Sequence, residues 1–309
     1  KEVIKEYGAD IFRMWVASAE YRGDIRVSQE ILQQLADAYR RIRNTARFIL
    51  GNLSDFDPEK DLVAYEDLCE IDQWVLDQLA VLSDRVRGAY RRYEFHLVYH
   101  TVHHFCAVDL GGFYLDVLKD RLYCDLPQGR TRRSAQTAMY HILVELVKLV
   151  APILVFTADE IWRHMPKPAS APESVHLSRW QTLPRQFENR ALRDKWSTLL
   201  EVRRQVAKAL EDARADKKLG ASNEAKITIT ADSRTVEQLK TISEPLPMLF
   251  IVSEVNLVVS GETQAKVTVE LADTEKCDRC WRYDESVGSH ESHHVCDRCY
   301  EVITSSSAV

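Results

Sequence analysis

The sequence predicts a mainly α-helical fold, followed by a small α+β part and a short cysteine-rich module near its end. Three observations predict it. Apolar residues recur at three- and four-residue steps through residues 1–164, short strand-like runs follow residue 220, and four of the seven cysteines fall within residues 276–299. A chain of 309 residues is also about twice the length of a typical domain, so more than one domain is expected.

Composition excludes several classes of protein. The net charge of −6 argues against a uniformly basic coat for nucleic acid, although local basic stripes remain possible. No uncharged apolar run reaches the roughly 18 residues that span a bilayer, so no membrane segment is expected. Seven cysteines, three of them scattered as Cys69, Cys106 and Cys124, do not suit a secreted disulfide framework, and the chain is predicted to be cytoplasmic.

The first well-defined helix is predicted over "SQEILQQLADAYRRIRNTARFILGN". Its apolar residues form one stripe, so one face should lie on a core. Ser28 is the expected N-cap, and Gly51 is the expected C-terminal stop. Further helices are predicted over residues 72–93, 95–110 and 113–123.

The most apolar helix is predicted in "SAQTAMYHILVELVKLVAPILVF", with a break at Pro152. "TADEIW" then resembles a capping box, in which Thr157 and Glu160 each satisfy a free backbone N–H. The glycine pair in "LGGFY" has no preceding strand, which argues against a phosphate loop.

A change of composition near residues 165–190 marks a boundary. A basic amphipathic helix, "WSTLLEVRRQVAKALEDARADKKLG", follows, and strands are predicted at "KITIT", "LFIVSEVNLVV" and "KVTVEL", with a helix at "SRTVEQLKTI". The predicted parts are residues 1–28, a helical bundle at 29–165, a linker and basic helix at 166–220, a small α+β domain at 221–272 and a terminal module at 273–309.

The terminal module carries the strongest chemical signal. Its cysteines have the spacing C-x2-C-x15-C-x2-C, in which each C-x-x-C turn presents two thiolates, and two turns complete a tetrahedron around Zn²⁺. Four sulfur ligands close the site to substrate, which predicts one structural zinc. Redox pairs or disulfides are the alternatives, and a nearby histidine (His290, His293 or His294) could replace one sulfur. The predicted ligands are Cys277, Cys280, Cys296 and Cys299.

Aromatic and basic residues lie beside these cysteines. Trp281 and Tyr283 alternate with Arg279, Arg282 and Arg298, a mixture that suits base stacking and phosphate contact. The alternative is that Trp281 only covers the apolar side of the metal site.

A second basic feature is the arginine stripe of "AYRRIRNTARF". Tyr39, Arg43 and Arg47 lie at i, i+4 and i+8, and Arg40 and Asn44 form the adjacent row. Guanidinium groups at this spacing can reach phosphates or base edges, and an asparagine can read a base. The alternative is a solvated helix face that pairs with acids elsewhere.

A row of four histidines is another possible metal site. His96, His100, His103 and His104 recur on one predicted helix, but no H-E-x-x-H motif accompanies them, and Val98 and Val102 give that helix an ordinary apolar face. No nucleophile triad or acid pair stands out.

Several segments resemble the isoleucyl-tRNA synthetase family of class I aminoacyl-tRNA synthetases. They are "EYGADIFRMWVASAEYRGDIRVS" (6–28), "AYRRIRNTARFILGNL" (38–53), "FYLDVLKDRLYCD" (113–125), "API" (151–153), "FTADEIW" (156–162) and "KCDRCW" (276–281). The resemblance covers nearly the whole chain and is weakest over residues 221–272.

The resemblance implies a parent enzyme that joins isoleucine to its tRNA with ATP. The HIGH and KMSKS signatures of ATP binding are absent from this chain, so it is expected to lack the catalytic and editing domains and to be inactive alone. It is then expected to be a monomeric, cytoplasmic part of the enzyme whose partners are tRNA(Ile) and the enzyme's own N-terminal catalytic domain.

For the sites, the resemblance implies that residues 1–28 contact the tRNA stem and that the next helix faces the anticodon. The positions that match the anticodon-binding helix are Tyr39, Arg40, Arg43, Asn44 and Arg47, and Trp281 and Arg282 would lie on a zinc module that reaches over the anticodon loop. The alternative interpretation is a zinc-stapled helical scaffold that binds protein rather than RNA.

Overall fold

The structure is a computed structural model of the chain and describes residues 2–261, 264–290 and 293–306. Helices dominate the chain up to residue 215, so the predicted mainly α fold class is confirmed. The elements before the sheet are α1 Glu2–Tyr7, α2 Ala9–Ser18, α3 Gln29–Asn52, α4 Glu70–Arg91, α5 Phe95–His104, the π-helix Phe105–Tyr114, α6 Leu115–Cys124, α7 Arg130–Val150, α8 Val155–His164 and α9 Arg190–Ala215. The later elements are β1 Ala225–Ala231, α10 Ser233–Lys240, α11 Leu246–Phe250, β2 Glu254–Val259, β3 Lys266–Leu271, β4 Glu275–Lys276, β5 Tyr283–Asp284 and α12 Asp297–Ser306.

The chain divides into two compact units. The first consists of residues 1–68, 75–116 and 133–188, and the second of residues 69–74, 117–132 and 189–309. The five-part division predicted above stays a prediction. Among the described residues, no helix has both the length and the apolar character needed to cross a membrane.

The first unit is a helical bundle, and α3 begins as the sequence predicts. The Ser28 hydroxyl accepts a hydrogen bond from the N–H of Ile31 at 3.3 Å, which confirms the N-cap. The predicted stop at Gly51 is wrong, because the helix continues to Asn52. The buried stripe contains Ile42, Ala46 and Ile49, each at most 4% exposed.

The start of α8 differs from the sequence prediction. The break at Pro152 is confirmed, since α7 ends at Val150 and α8 begins at Val155. The capping box is wrong. Instead, the buried Asp10 carboxylate of α2 accepts hydrogen bonds from the N–H of Phe156 (3.3 Å) and from the N–H and hydroxyl of Thr157 (2.7 and 2.6 Å). A carboxylate distant in sequence therefore satisfies the free N–H groups that a local cap would otherwise bind.

The glycine pair of "LGGFY" lies in the π-helix. The Leu115 N–H at its end donates to the carbonyl of Leu110, five residues back. A Cβ at Gly111 would lie 3.0 Å from the Cys106 carbonyl oxygen, and one at Gly112 would lie 3.3 Å from the Ala107 carbonyl oxygen. Side chains would be crowded at both positions, because these carbonyl oxygens of the π turn lie close.

The second unit contains a three-stranded sheet with the order β2-β1-β3. The central strand β1 pairs parallel with β2 and antiparallel with β3. Its residues alternate between buried and half-buried positions, and Ile227 and Ile229 are fully buried. The predicted helix at "SRTVEQLKTI" is confirmed as α10. The predicted strand at "LFIVSEVNLVV" starts too early, because Leu249 and Phe250 belong to α11.

The basic helix α9 is held in the second unit by its own tryptophan. The Trp196 ring stacks on Trp74, with centroids 5.3 Å apart and planes 17° apart. Its indole N–H donates to Glu70 at 2.8 Å, and Lys195 pairs with the same carboxylate at 2.7 Å. One carboxylate therefore fixes both the polar end of the tryptophan and the neighbouring lysine.

Candidate metal centre and nucleic-acid interface

The four cysteines of the two C-x-x-C turns converge on one point. Their sulfur atoms all lie within 4.8 Å of one another, and each residue is at most 9% exposed. Cys277 and Cys280 come from the loop after β4, and Cys296 and Cys299 lie at the start of α12. Backbone hydrogen bonds shape the first turn, in which the N–H of Trp281 donates to the carbonyl of Cys277 at 3.0 Å.

The spacing of the sulfur atoms fits a tetrahedral zinc ion. Four sulfurs at about 2.3 Å from Zn²⁺ would be about 3.8 Å apart. The sulfurs of Cys280 and Cys296 are 3.8 Å apart. A disulfide would need about 2.05 Å, so this geometry matches ligands around a metal better than a covalent pair.

The pKa values of the cysteine thiols and a nearby arginine bear on whether the cluster can bind a metal ion in place of its protons. A hydrogen bond with Cys299 lowers the pKa of the Cys280 thiol to about 4, and the same bond raises the pKa of Cys299. Burial raises the pKa of Cys296 to about 11. An Arg279 nitrogen lies 3.7 Å from the Cys299 sulfur, so a cation is already present beside a site whose four thiolates would exceed the charge of Zn²⁺.

Two of the module's arginines have structural roles. Arg298 forms a bidentate ion pair with Asp120 of α6, with both N–O distances 2.6 Å. Burial alone would raise the pKa of Asp120, but the bonds from Arg298 lower it overall. Arg279 donates to the Cys124 carbonyl oxygen at the end of α6. Both arginines therefore hold the module on this helix within the second unit.

Trp281 lies at the surface of the module. Its side chain is 62% exposed, and its backbone has φ of 63°, which is uncommon for a residue other than glycine. The ammonium of Lys276 lies 5.8 Å from the ring centroid. Arg282 is half-buried and lies close enough to Asp120 to help lower the pKa of that carboxyl. Of the two RNA contacts predicted in this module, Trp281 and Arg282, Trp281 is therefore the more exposed.

On α3, most of the predicted stripe faces outward without partners. Arg43, Asn44 and Arg47 are exposed, and their side chains make no hydrogen bond or ion pair within the described ranges. Arg41, which the sequence analysis did not select, is also exposed and lies near His103. These three residues therefore have no acidic partner among the described residues, and their contact with RNA stays a prediction.

Two predicted residues of the stripe are engaged within the chain. The Tyr39 hydroxyl lies 2.9 Å from Thr157 Oγ1; because Thr157 donates its own proton to Asp10, Tyr39 is the donor. Tyr39 is half-buried, so only part of its ring is available to a ligand. Arg40 pairs with Asp37 one turn earlier. The free part of the stripe is Arg43, Asn44 and Arg47.

The histidines are placed away from the cysteine cluster. The His290 ring N–H donates to the Asp297 carboxylate at 2.9 Å and the ring stacks on Tyr300, and His294 lies 2.8 Å from Glu275. Within the residues that the structure covers, the only group of three or more candidate ligands that meets at one point is the set of four cysteines. The histidine row on α5 forms no such group.

Two family descriptions match this chain. "Anticodon-binding domain of tRNA ligase" matches residues 72–229, and "Zinc finger found in FPG and IleRS" matches residues 275–302. The second match contains all four clustered cysteines, and it agrees with the metal geometry described above. The first covers the bundle from α4 onward, all of α9 and most of β1, and it begins after α3.

Curated relatives named isoleucine--tRNA ligase match almost the whole chain. The protein from Syntrophotalea carbinolica is 52% identical over 98% of this chain and 34% of its own length. Those from Natranaerobius thermophilus and Geobacter sulfurreducens are 46% and 45% identical over 99% and 97% of this chain. Among solved structures, the LeuRS of a ternary complex with tRNA from Agrobacterium radiobacter K84 aligns at a TM-score of 0.45 and 13% identity, over 89% of this chain and 24% of its own, a similarity too low to define the fold.

The chain spans about a third of the length of these curated relatives. The matched anticodon-binding region covers about half of the 309 residues, and the zinc-finger match lies at the cysteine cluster. The chain therefore belongs to the family of tRNA ligases that carry this anticodon-binding domain, and isoleucine--tRNA ligases are its relatives along nearly its whole length.

Proposed function

We propose that this chain is the tRNA-binding part of an isoleucine–tRNA ligase and that it recognises the anticodon stem-loop of tRNA(Ile). The observation that carries the proposal is the exposed, unpaired face of Arg43, Asn44 and Arg47 on α3, in a chain of the anticodon-binding family. A free guanidinium group binds phosphate without first breaking an internal ion pair.

The chemistry of this face suits unpaired RNA. Arginine can donate two parallel hydrogen bonds to a phosphate or to a base edge, and it can stack on a base. Asn44 offers both a donor and an acceptor, which a base edge requires. We assign phosphate and base contacts to these three residues, and weaker contributions to Tyr39 and Arg40 because of their internal partners.

The terminal module supplies a second surface in this proposal. Trp281 is a large exposed ring beside the Lys276 ammonium, and the pair can stack a base and hold its phosphate. The unusual backbone of Trp281 favours a functional role, because such strain is maintained where the surrounding structure fixes it. Arg282 is a further proposed contact.

We assign one Zn²⁺ to Cys277, Cys280, Cys296 and Cys299. All four positions of the tetrahedron are filled by sulfur, so the ion would have no place for water or substrate and would be structural. Its task is to hold a segment with few other buried side chains in the shape that presents Trp281.

The longer protein would perform the ligation of isoleucine to tRNA with ATP, in the cytoplasm and as a monomer. We propose that its N-terminal catalytic part covers an apolar cleft of about 670 Å³ in the first unit, whose wall includes Phe12, Val16, Tyr21 and Phe95. Support comes from the length of the relatives, which are about three times as long as this chain, and from the exposure of Val16 (45%) and Tyr21 (48%).

Equilibrium binding of tRNA(Ile) to the chain and to Arg43→Ala tests the proposal. Loss of a specific arginine contact costs about 1–3 kcal/mol, so Kd should rise about 5- to 150-fold. Arg91→Ala is the matched control, because Arg91 is an exposed arginine on another helix of the first unit, at the end of α4. Equal small losses in both variants would reduce the stripe to an ordinary solvated face.

The same titration separates the alternative function. A zinc-stapled scaffold that binds protein would show no saturable binding of tRNA(Ile) at any salt concentration. RNA binding predicts affinity that falls steeply with salt, because bound arginines release counterions from the phosphates.

A further inference from the structure

The first unit contains a polar cleft that the proposed α3 surface does not include. Its volume is about 390 Å³, and it lies between α4, α5 and the start of the π-helix. Its lining combines an amide, three cationic or titratable nitrogen groups, one carboxylate and an apolar wall. The residues that carry the argument are Gln78, Arg85, His100, His104, Phe105 and Asp109.

The basic groups of this cleft are more exposed than its carboxylate. Arg85, His100 and His104 are exposed, whereas Asp109 is half-buried. Burial raises the pKa of Asp109, and the neighbouring His104 and Arg85 only partly oppose that effect. Within the described segments none of these four side chains makes a hydrogen bond or ion pair, so the cleft offers a sheltered acceptor behind the free guanidinium group of Arg85 and two histidine rings.

The π-helix gives the cleft its acceptor. Phe105 begins this helix and is 2% exposed, so its ring forms a fixed apolar wall, and Asp109 follows it one turn later on the cleft side. The glycine pair that permits the π turn lies in the same ten residues. Irregular helical turns of this kind are frequent at functional sites.

A nucleotide matches this arrangement of charges. Its base carries N–H donors and flat apolar faces, and its phosphate carries negative charge at the opposite end. A phosphate alone would not explain the inner carboxylate, which would repel it. A metal ion is not favoured, because these side chains do not converge as the four cysteines do.

We propose that this cleft receives one unpaired nucleotide of the bound RNA, with guanine preferred, its base directed to Asp109 and its phosphate to Arg85. Guanine is favoured because its N1–H and N2–H groups are adjacent donors that one carboxylate accepts together. Uracil has one such donor, and adenine and cytosine have no adjacent pair in neutral form. Single-stranded RNA is commonly read in this way, by hydrogen bonds to the exposed edge of an unstacked base.

The inference rests on the proposed RNA-binding function but concerns a separate surface. Its test uses the full chain with histidine ring carbons labelled for NMR, since His100 and His104 report on the cleft. The probes are GMP, inosine monophosphate, UMP and inorganic phosphate. GMP should shift both histidine signals with the highest affinity. Inosine monophosphate differs from GMP only by the missing N2 amino group, so it should bind several-fold more weakly.

Variants then assign the contacts. Asp109→Asn should weaken GMP binding about tenfold and abolish the preference over inosine monophosphate, since the amide cannot accept both guanine N–H groups as the carboxylate does. Arg85→Ala should weaken every nucleotide to a similar degree. Asp84→Asn removes the same charge from an exposed position on α4 that does not line the cleft, and it should leave GMP affinity within about twofold.

Two results with the wild-type chain alone would overturn the proposal. One is that inorganic phosphate shifts the histidine signals as much as GMP does, and the other is equal affinity for GMP and inosine monophosphate. Binding of tRNA(Ile), measured on the same sample, separates the two claims. If tRNA binds and loses affinity in Arg43→Ala while GMP causes no shift, only the cleft is wrong. If GMP binds with the expected preference and tRNA does not bind, the proposed function is wrong.

Discussion

The terminal module should depend on zinc, and Cys296→Ala is the substitution that shows it most clearly. The buried cluster around the site consists mainly of cysteines, and its other fully buried members are Val287 and Val295. Burial of two valines supplies about 3–6 kcal/mol. A structural zinc site supplies about 10–16 kcal/mol in isolated fingers, so a bound Zn²⁺ would be the dominant source of stability in this module.

Cys296→Ala should therefore lose bound zinc and unfold residues near 276–303, while the helical signal of the chain stays largely intact. The assay combines metal analysis, circular dichroism and hydrogen exchange of the module's amides. Trp281 fluorescence should shift as its backbone is released. Binding of tRNA(Ile) should weaken although no proposed RNA contact was changed.

Cys124→Ala is the matched control, because Cys124 packs in the same buried cluster but is not one of the four converging sulfurs. It should keep one zinc per chain. His294→Ala should also keep its zinc, since His294 contacts Glu275 instead of the cluster. Full zinc content in Cys296→Ala would show that the ligands are wrong. Loss of the whole helical signal with the zinc would show that the module does not fold as a separate part.

Two further predictions concern buried carboxyl groups. Burial raises the pKa of Glu244 from 4.5 to about 7, so the folded chain keeps a proton that the unfolded chain releases in this range. The free energy of unfolding should therefore fall by about 3 kcal/mol as pH rises from 4.5 to 7. Glu244→Gln should remove that share of the pH dependence, measured by denaturant titration at each pH. An unchanged pH dependence in this variant would contradict the prediction. Asp10→Ala should lower the free energy of unfolding by about 2 kcal/mol, because it leaves the N–H groups of Phe156 and Thr157 unpaired. Asp24 is exposed, so Asp24→Ala should change the free energy of unfolding little. Equal effects of the two substitutions would show that Asp10 does not cap α8.

Local patterns predicted the local features of the fold. Ser28 caps α3 because its hydroxyl reaches an amide three residues later, an interaction that sequence spacing defines. The cysteine spacing likewise predicted the convergence of four sulfurs, since each pair is set by a tight turn. The break at Pro152 follows from the missing N–H of proline.

Features that depend on distant residues were not predictable in this way. The capping box at Thr157 fits the local pattern, but Asp10, more than 140 residues earlier, provides the cap. Arg298 fits a nucleic-acid contact by its place in the sequence, but its side chain forms an ion pair with Asp120. The glycine pair at 111–112 argues only against a phosphate loop in the sequence, because glycine alone does not indicate the π turn in which the pair lies.

Competition binding tests the central claim most directly. The wild-type chain is mixed with labelled tRNA(Ile) at moderate salt. Two unlabelled competitors are then compared, tRNA(Ile) itself and a tRNA(Ile) transcript whose anticodon loop bases are replaced. Recognition of the anticodon stem-loop predicts that the altered transcript competes at least about tenfold more weakly, because each lost base contact costs about 1–3 kcal/mol. Equal competition by the two transcripts would contradict that claim, since phosphate contacts alone would then account for binding.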